Sequence, residues 1–202
     1  MRIRLSAMAV LSLVLLPASG QAQAPWTVYG IELGQPVALP ACKHKTLPNG
    51  QPSQYIYEDD PAETCHEPEI QLRDAPWQRG SVNFPLRKQP LISAFNSGFT
   101  LIIDGKVEGL QFSTRGDANT NAIINELSTK FGRPTSISKT TSTVAGIAVP
   151  AVHTEWDLES LYVSYLNIHR EIGYGLLEIE TPKMQAVRRM DQERKAADRQ
   201  AL

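Results

Sequence analysis

Two short runs in the last third of the chain carry most of the side chains that could do chemistry. The first is "VHTEWDL", residues 152–158, and the second is "YGLLEIET", residues 174–181. Alternate residues of a strand share a face. His153, Glu155 and Asp157 therefore line one side, with Thr154, Trp156 and Leu158 on the other. Glu178 and Glu180 alternate in the same way against Leu177 and Ile179. If both runs join one sheet, one of its faces carries four carboxylates and an imidazole. Such a face has three uses. It can be the solvated side of a half-buried antiparallel sheet. It can be an acidic recognition surface, because complementary charge speeds and orients association with a basic partner. It can also be a metal or acid–base site, which requires a cleft and perturbed proton affinities. Glycoside hydrolysis needs only two carboxylates that meet in space, so Glu155, Asp157 and Glu178 are candidates for a hydrolase of wall glycan or peptide.

The cysteines form a second group. "LPACKH", residues 39–44, holds Cys42 and His44, and Cys65 is followed directly by His66. Cys42, His44, Cys65 and His66 have the elements of a tetrahedral zinc site. Their spacing opposes it, because adjacent side chains such as Cys65 and His66 rarely converge on one ion. An even cysteine count in an exported chain argues for one disulfide, Cys42–Cys65. A catalytic cysteine is not expected, since a thiolate nucleophile needs a reducing or protected setting and an activating base. Leu39-x-Ala-Cys also matches a lipid-attachment box, but it lies far beyond the N-terminal apolar run and has Pro40 in its middle.

Other clusters are weaker. Glu58, Asp59, Asp60, Glu63, Glu67 and Glu69 offer oxygens of the kind Ca²⁺ takes, without a known ligand spacing. Arg115-Gly116-Asp117 matches an adhesion tripeptide, but it has a sufficient task as a strand-to-helix turn. No nucleophile elbow, zinc-protease helix, phosphate loop, dinucleotide fingerprint or EF-hand loop is present. No cofactor is expected.

The address comes from the N-terminus. Arg2 and Arg4 precede an apolar run, Leu5 to Leu16, closed by Pro17 and the small-residue stretch "ASGQAQAPW". This is the pattern of a secretory signal peptide, here 1–22. The apolar run is short of the roughly 20 residues a membrane span needs, so no stable membrane anchor is expected. Removing Arg2 and Arg4 takes the net charge from −1 to about −3. A mildly acidic chain lacks the basic footprint of a nucleic-acid binder.

Behind these residues the chain has two textures. Ten of its fourteen prolines lie between Pro25 and Pro90. That half, 23–90, reads as short strands at 27–33, 55–58 and 81–84, broken by turns and stapled by the disulfide. His44 and Lys45 read as loop residues without a task. The half 91–181 is regular. "FTLIID" and "KVEGLQFST" join at Asp104-Gly105, the strongest short hairpin signal. Pairing Ile103 with Lys106 places Phe99, Leu101, Leu110 and Phe112 on one core face. A helix over 118–131 follows, capped by Asp117, with Ile123, Ile124, Leu127 and Phe131 as its apolar stripe. Gly132 and Pro134 end it. Strands are expected at 147–158, 161–168 and 173–181. Thr181-Pro182 then opens a charged C-terminal helix over 182–202, striped by Met184, Val187 and Met190.

The expected fold is α+β: an antiparallel sheet with one central helix on a face, a loop-rich disulfide-stapled first half and a C-terminal helix, 23–181 forming one domain. The expected function is an exported, non-enzymatic protein, periplasmic or secreted, that binds another macromolecule of the bacterial envelope. An inhibitor of a basic cell-wall hydrolase, engaged through His153, Glu155, Asp157, Glu178 and Glu180, is its concrete form. The carboxylate-dependent hydrolase is the alternative.

Overall fold

A computed structural model describes residues 26–116 and 119–200. The expected signal peptide and the Asp117 cap lie outside the described residues. In chain order the elements are β1 (Thr27–Val28), β2 (Ile31–Glu32), β3 (His44–Thr46), β4 (Pro52–Tyr57), β5 (Cys65–Gln71) and β6 (Gln78–Asn83). A short 3₁₀ turn, Leu86–Lys88, leads to β7 (Ser97–Ile103), β8 (Lys106–Arg115) and α1 (Thr120–Phe131). β9 (Ser136–Val144), β10 (Ile147–Leu158), β11 (Leu161–Leu166), β12 (Tyr174–Glu180) and α2 (Pro182–Gln200) complete the chain. Eight strands form one sheet in the order β5-β6-β7-β8-β12-β11-β10-β9, antiparallel throughout. The fold is α+β, and its sheet takes strands from both the proline-rich and the regular half.

Tight turns set several of the pairings. Asp104 and Gly105 have φ of 52° and 73°, both positive as a type I′ turn requires. Ala145 and Gly146 turn β9 into β10 the same way, at 50° and 81°. Tyr29 and Gly30 do so again at 51° and 82°, so residues 27–33 fold as a β1–β2 hairpin rather than the single strand expected.

A bulge corrects the expected β7–β8 face. Ile103 does pair with Lys106 and Ile102 with Val107, but Leu101 pairs with Gly109, leaving Glu108 as the extra residue. The pleat phase changes there. Leu110 and Phe112 stay in the main core with Ile102, whereas Leu101 joins Ile103 and Met184 beneath α2. Phe99 moves with Leu101 and is 38 % exposed. The four residues expected together are thus split between opposite sides of the sheet.

The sheet therefore has an α1 face and an α2 face. On the α1 face, Ile123, Leu127 and Phe131 pack with Trp156, Val163, Leu177, Ile179 and Phe112. The β1–β2 hairpin adds Val28 and Ile31 to the same cluster. Trp156 is fully buried, and its indole N–H donates to the Gly132 carbonyl at 2.8 Å, tying β10 to the end of α1. On the other face the Thr181 hydroxyl caps α2 by accepting from the Met184 amide at 3.3 Å. Met184 is buried with Trp77 and Val187 packed nearby, but Met190 is exposed, so the expected stripe stops one turn early. Asp191 is buried instead, held by Arg194 and Lys195 at 2.7 Å each.

The disulfide Cys42–Cys65 is formed, and it ties the residues before β3 to the start of β5. Around it, the Cys42 amide donates to the His66 carbonyl and the His66 amide to Pro40, so "LPACKH" lies along the sheet edge. His44 and Lys45 belong to β3, not to a loop: the His44 ring stacks on Tyr57 at 4.5 Å, and Lys45 meets Asp59 at 2.7 Å. His66 is buried and hydrogen-bonded to Thr100 at 3.0 Å, and burial lowers its proton affinity. Among the described residues, no three His, Cys, Asp or Glu side chains gather as metal ligands. No described helix is long and apolar enough to cross a membrane.

Candidate functional site

The registers place every residue singled out on β10 and β12. Phe99, Gln111, Glu178, Ser164 and Glu155 form one cross-strand row on the α2 face. Leu101, Gly109, Glu180, Tyr162 and Asp157 form the next. His153, Glu155, Asp157, Glu178 and Glu180 do share one face, with β11 lying between the two acidic strands. At about 4.8 Å per strand, Glu155 and Glu178 stand about 10 Å apart along the sheet.

The two acidic strands are held in different ways. Glu155 accepts from the Tyr162 hydroxyl at 2.5 Å and the Ser136 hydroxyl at 2.7 Å. These two bonds keep its carboxylate below the ordinary glutamate range, and His153, 3.7 Å away, adds to the effect. The same His153 nitrogen, Nε2, also meets the Ser164 hydroxyl at 2.9 Å. A nucleophile–base–acid relay needs serine and carboxylate on opposite ring nitrogens. Here both crowd one nitrogen, so the cluster is a polar brace and not an acyl-transfer triad. Asp157 is exposed at the end of the row.

Glu178 and Glu180 bind an arginine of their own chain. Arg188 of α2 meets Glu178 at 2.7 Å and Glu180 closely with its other terminal nitrogen. Gln111 also donates to Glu178 at 2.7 Å. Burial pushes Glu180 up to about 7, against the pull of Arg188. Its side chain is 5 % exposed, so this raised acid lies under the arginine, out of a substrate's reach.

Beside this arginine the sheet opens into a groove of about 640 Å³. Its floor is β7, β8 and β12, through Phe99, Gln111, Ser113, Leu176 and Glu178. Arg188 and Arg79 flank one side, and the β11–β12 loop with Phe95 closes the other. Arg79 lies over the Phe99 ring at 4.5 Å, a cation–π contact. Phe95 and Tyr174 stack at 5.6 Å and 12°, and remain 49 % and 40 % exposed. His169, Arg170 and Glu171 line the loop side. Gly98 serves the opposite face: it pairs with Val82, and a Cβ there would sit 2.4 Å from the Phe112 ring in the α1-side core.

Of the groove residues, the sequence reading singled out Glu178 as a partner-binding candidate. Phe99 was expected in the core, and Arg79, Phe95, Tyr174 and Arg188 carried no signal. Phe99 arrives through the bulge, Phe95 through an irregular segment, Tyr174 at the first position of β12, and Arg188 through the packing of α2. Binding residues concentrate on loops carried by a rigid scaffold, and "HREIGY" at 169–174 spans such a connection and puts His169, Arg170, Glu171 and Tyr174 on the groove. The chain matches no protein-family model, no curated protein and no solved structure.

Proposed function

We propose that the chain is an exported, non-enzymatic binding protein of the bacterial envelope, and that it takes a protein partner in the α2-face groove. The observation that carries this reading is the groove itself: half-exposed Phe95, Phe99 and Tyr174 set beside Arg79 and Arg170. Exposed aromatics and arginines are the side chains that dominate binding energy at interfaces. Disulfide bonding supports an oxidising compartment outside the cytoplasm.

The geometry also shifts the partner's chemistry. Arg188 already occupies Glu178 and Glu180, so two carboxylates that a basic hydrolase would engage are satisfied within the chain. What the groove offers is a pair of less committed cations beside apolar rings. A segment with a carboxylate next to an aromatic or aliphatic side chain complements it. Hydrolysis has less support: Glu155 is held by two hydroxyls, and Glu180, which burial pushes up to about 7, is covered.

Capture from envelope extracts, at low and high salt, tests the assignment with three proteins. Arg79→Ala and Phe99→Ala should each weaken capture by about tenfold, which is about 1.4 kcal/mol. Glu155→Ala combined with Asp157→Ala should leave it unchanged. The reverse pattern, loss only in the acidic double variant, would reject the groove and restore the basic partner.

A further inference from the structure

The β9–β10 hairpin leaves the body of the sheet. β10 pairs with β11 only from His153 to Leu158, while its pairing with β9 continues to Ile147. Beyond that point Lys139–Val144 and Ile147–Val152 form a two-stranded ribbon, exposed or half-exposed along its length except at Ala151. Such a ribbon is marginal in water on its own. Residues 136–152 nevertheless contain one charged side chain, Lys139. Ile137 and Ile147 are both more than half exposed.

The two edges of this ribbon differ. The Val152 amide and carbonyl point to β11, where they meet the Asn167 side chain and amide. By strand alternation, residue 150 directs its backbone toward that same side. It is a proline and has no N–H to offer, so this edge is blocked against a new strand. β9 is the last strand of the sheet, and its outer edge carries no proline, bulge or acidic residue. Natural edge strands are normally blunted by such devices. Ile137, Lys139, Thr141 and Thr143 therefore present their backbone groups along an open edge.

We infer that this edge pairs with β9 of a second copy of the chain, antiparallel about a two-fold axis at Thr140. That register overlaps the whole of Ser136–Val144. It sets Thr140 against its own equivalent, Ser138 against Ser142, Lys139 against Thr141 and Ile137 against Thr143. Lysine never faces lysine, and the Thr140–Thr140 and Ser138–Ser142 pairs set hydroxyls opposite one another, of a kind that stabilises neighbouring strands. A self-complementary patch of this sort closes into a dimer and goes no further. The two eight-stranded sheets become one continuous sheet, and each ribbon gains a third strand. This dimer is independent of the groove, which lies across the sheet on β7, β8 and β12.

Sedimentation equilibrium on the disulfide-bonded chain, over a range of concentrations, tests the pairing. The wild type should reach twice the monomer mass. Thr140→Lys opposes two like charges at the axis and should shift the midpoint at least tenfold toward monomer, with an unchanged circular dichroism spectrum. Mixing Thr140→Lys with Thr140→Asp should restore a dimer containing one of each. A wild type that stays monomeric at millimolar concentration overturns the inference. So does a dimer indifferent to Thr140→Lys, which would place the contact elsewhere. A monomer that captures an extended envelope peptide, and loses it on Thr140→Lys, would assign the edge to a foreign strand instead.

Discussion

The two faces of the eight-stranded sheet are built from the same strands, often from adjacent residues, and they do different work. On the α1 face, Trp156, Val163, Ile179 and Phe112 meet α1 and the β1–β2 hairpin in a dry cluster. On the α2 face, the neighbours of those residues are exposed Asp157 and the set Glu155, Tyr162, Glu178 and Gln111, which is engaged in hydrogen bonds and ion pairs. Apolar burial is non-directional and grows with area, so the first face can be covered completely. Ionic groups tolerate burial only when paired, so the second is covered where Arg188 pairs with two of its carboxylates and stays open beyond. The open remainder is the groove. One face is closed by apolar packing, and the other stays partly open because its polar groups need pairing rather than cover.

The sharpest way to break this contrast is Trp156→Ala. It removes a fully buried indole and its bond to Gly132, and should cost about 3–5 kcal/mol in urea unfolding. A loss below about 1 kcal/mol would show that the α1 face is not the stabilising one.

Glu180 probes the buried part of the opposite face. Folding raises its pKa from 4.5 to about 7, so the folded protein holds this proton more tightly than the unfolded chain does. Stability from this group is complete below about pH 4.5 and is lost as pH rises to about 7, by up to about 3 kcal/mol. Glu180→Gln should flatten that decline. Thermal midpoints of the two proteins, compared from pH 5 to pH 8, should diverge in this sense, and parallel curves would refute it.

The smallest effect belongs to the exposed rim. Lys183 reaches Asp104 at 2.7 Å, but both side chains are largely in water. Lys183→Ala should leave the urea-unfolding midpoint nearly unchanged, and any small shift should vanish in high salt. A larger, salt-independent loss would mean that α2 is pinned by its rim, not by Met184 and Arg188.

Elements with strong local chemistry were legible in the sequence. The Asp104-Gly105 hairpin, the Ile123–Leu127–Phe131 stripe and the alternation through Trp156 depend on neighbours in the chain, and all appear in the fold. β9 was missed because "SISKTTSTV" lies at an edge, exposed on both faces, and shows no apolar alternation. β5 was missed because "CHEPEIQ" reads as a polar loop, and only pairing with β6 makes it a strand. The site was the least legible part. One unreadable residue, the bulged Glu108, decides that Phe99 faces the groove and not the core. Arg188 reads as one charge among many until tertiary packing brings it to Glu178 and Glu180.

The Cys42–Cys65 bond also governs how the molecule survives damage. The turn at Pro48–Gly50 is exposed on all three residues and lies inside the loop that the bond closes. A peptide bond cut there does not release the first part of the chain. The β1–β2 hairpin remains tethered where it seals the α1 face, and the Ala41–His66 bridge stays in place beside the bond. A single nick in this loop is therefore a scar that the fold can carry, and reduction is what would turn it into a break.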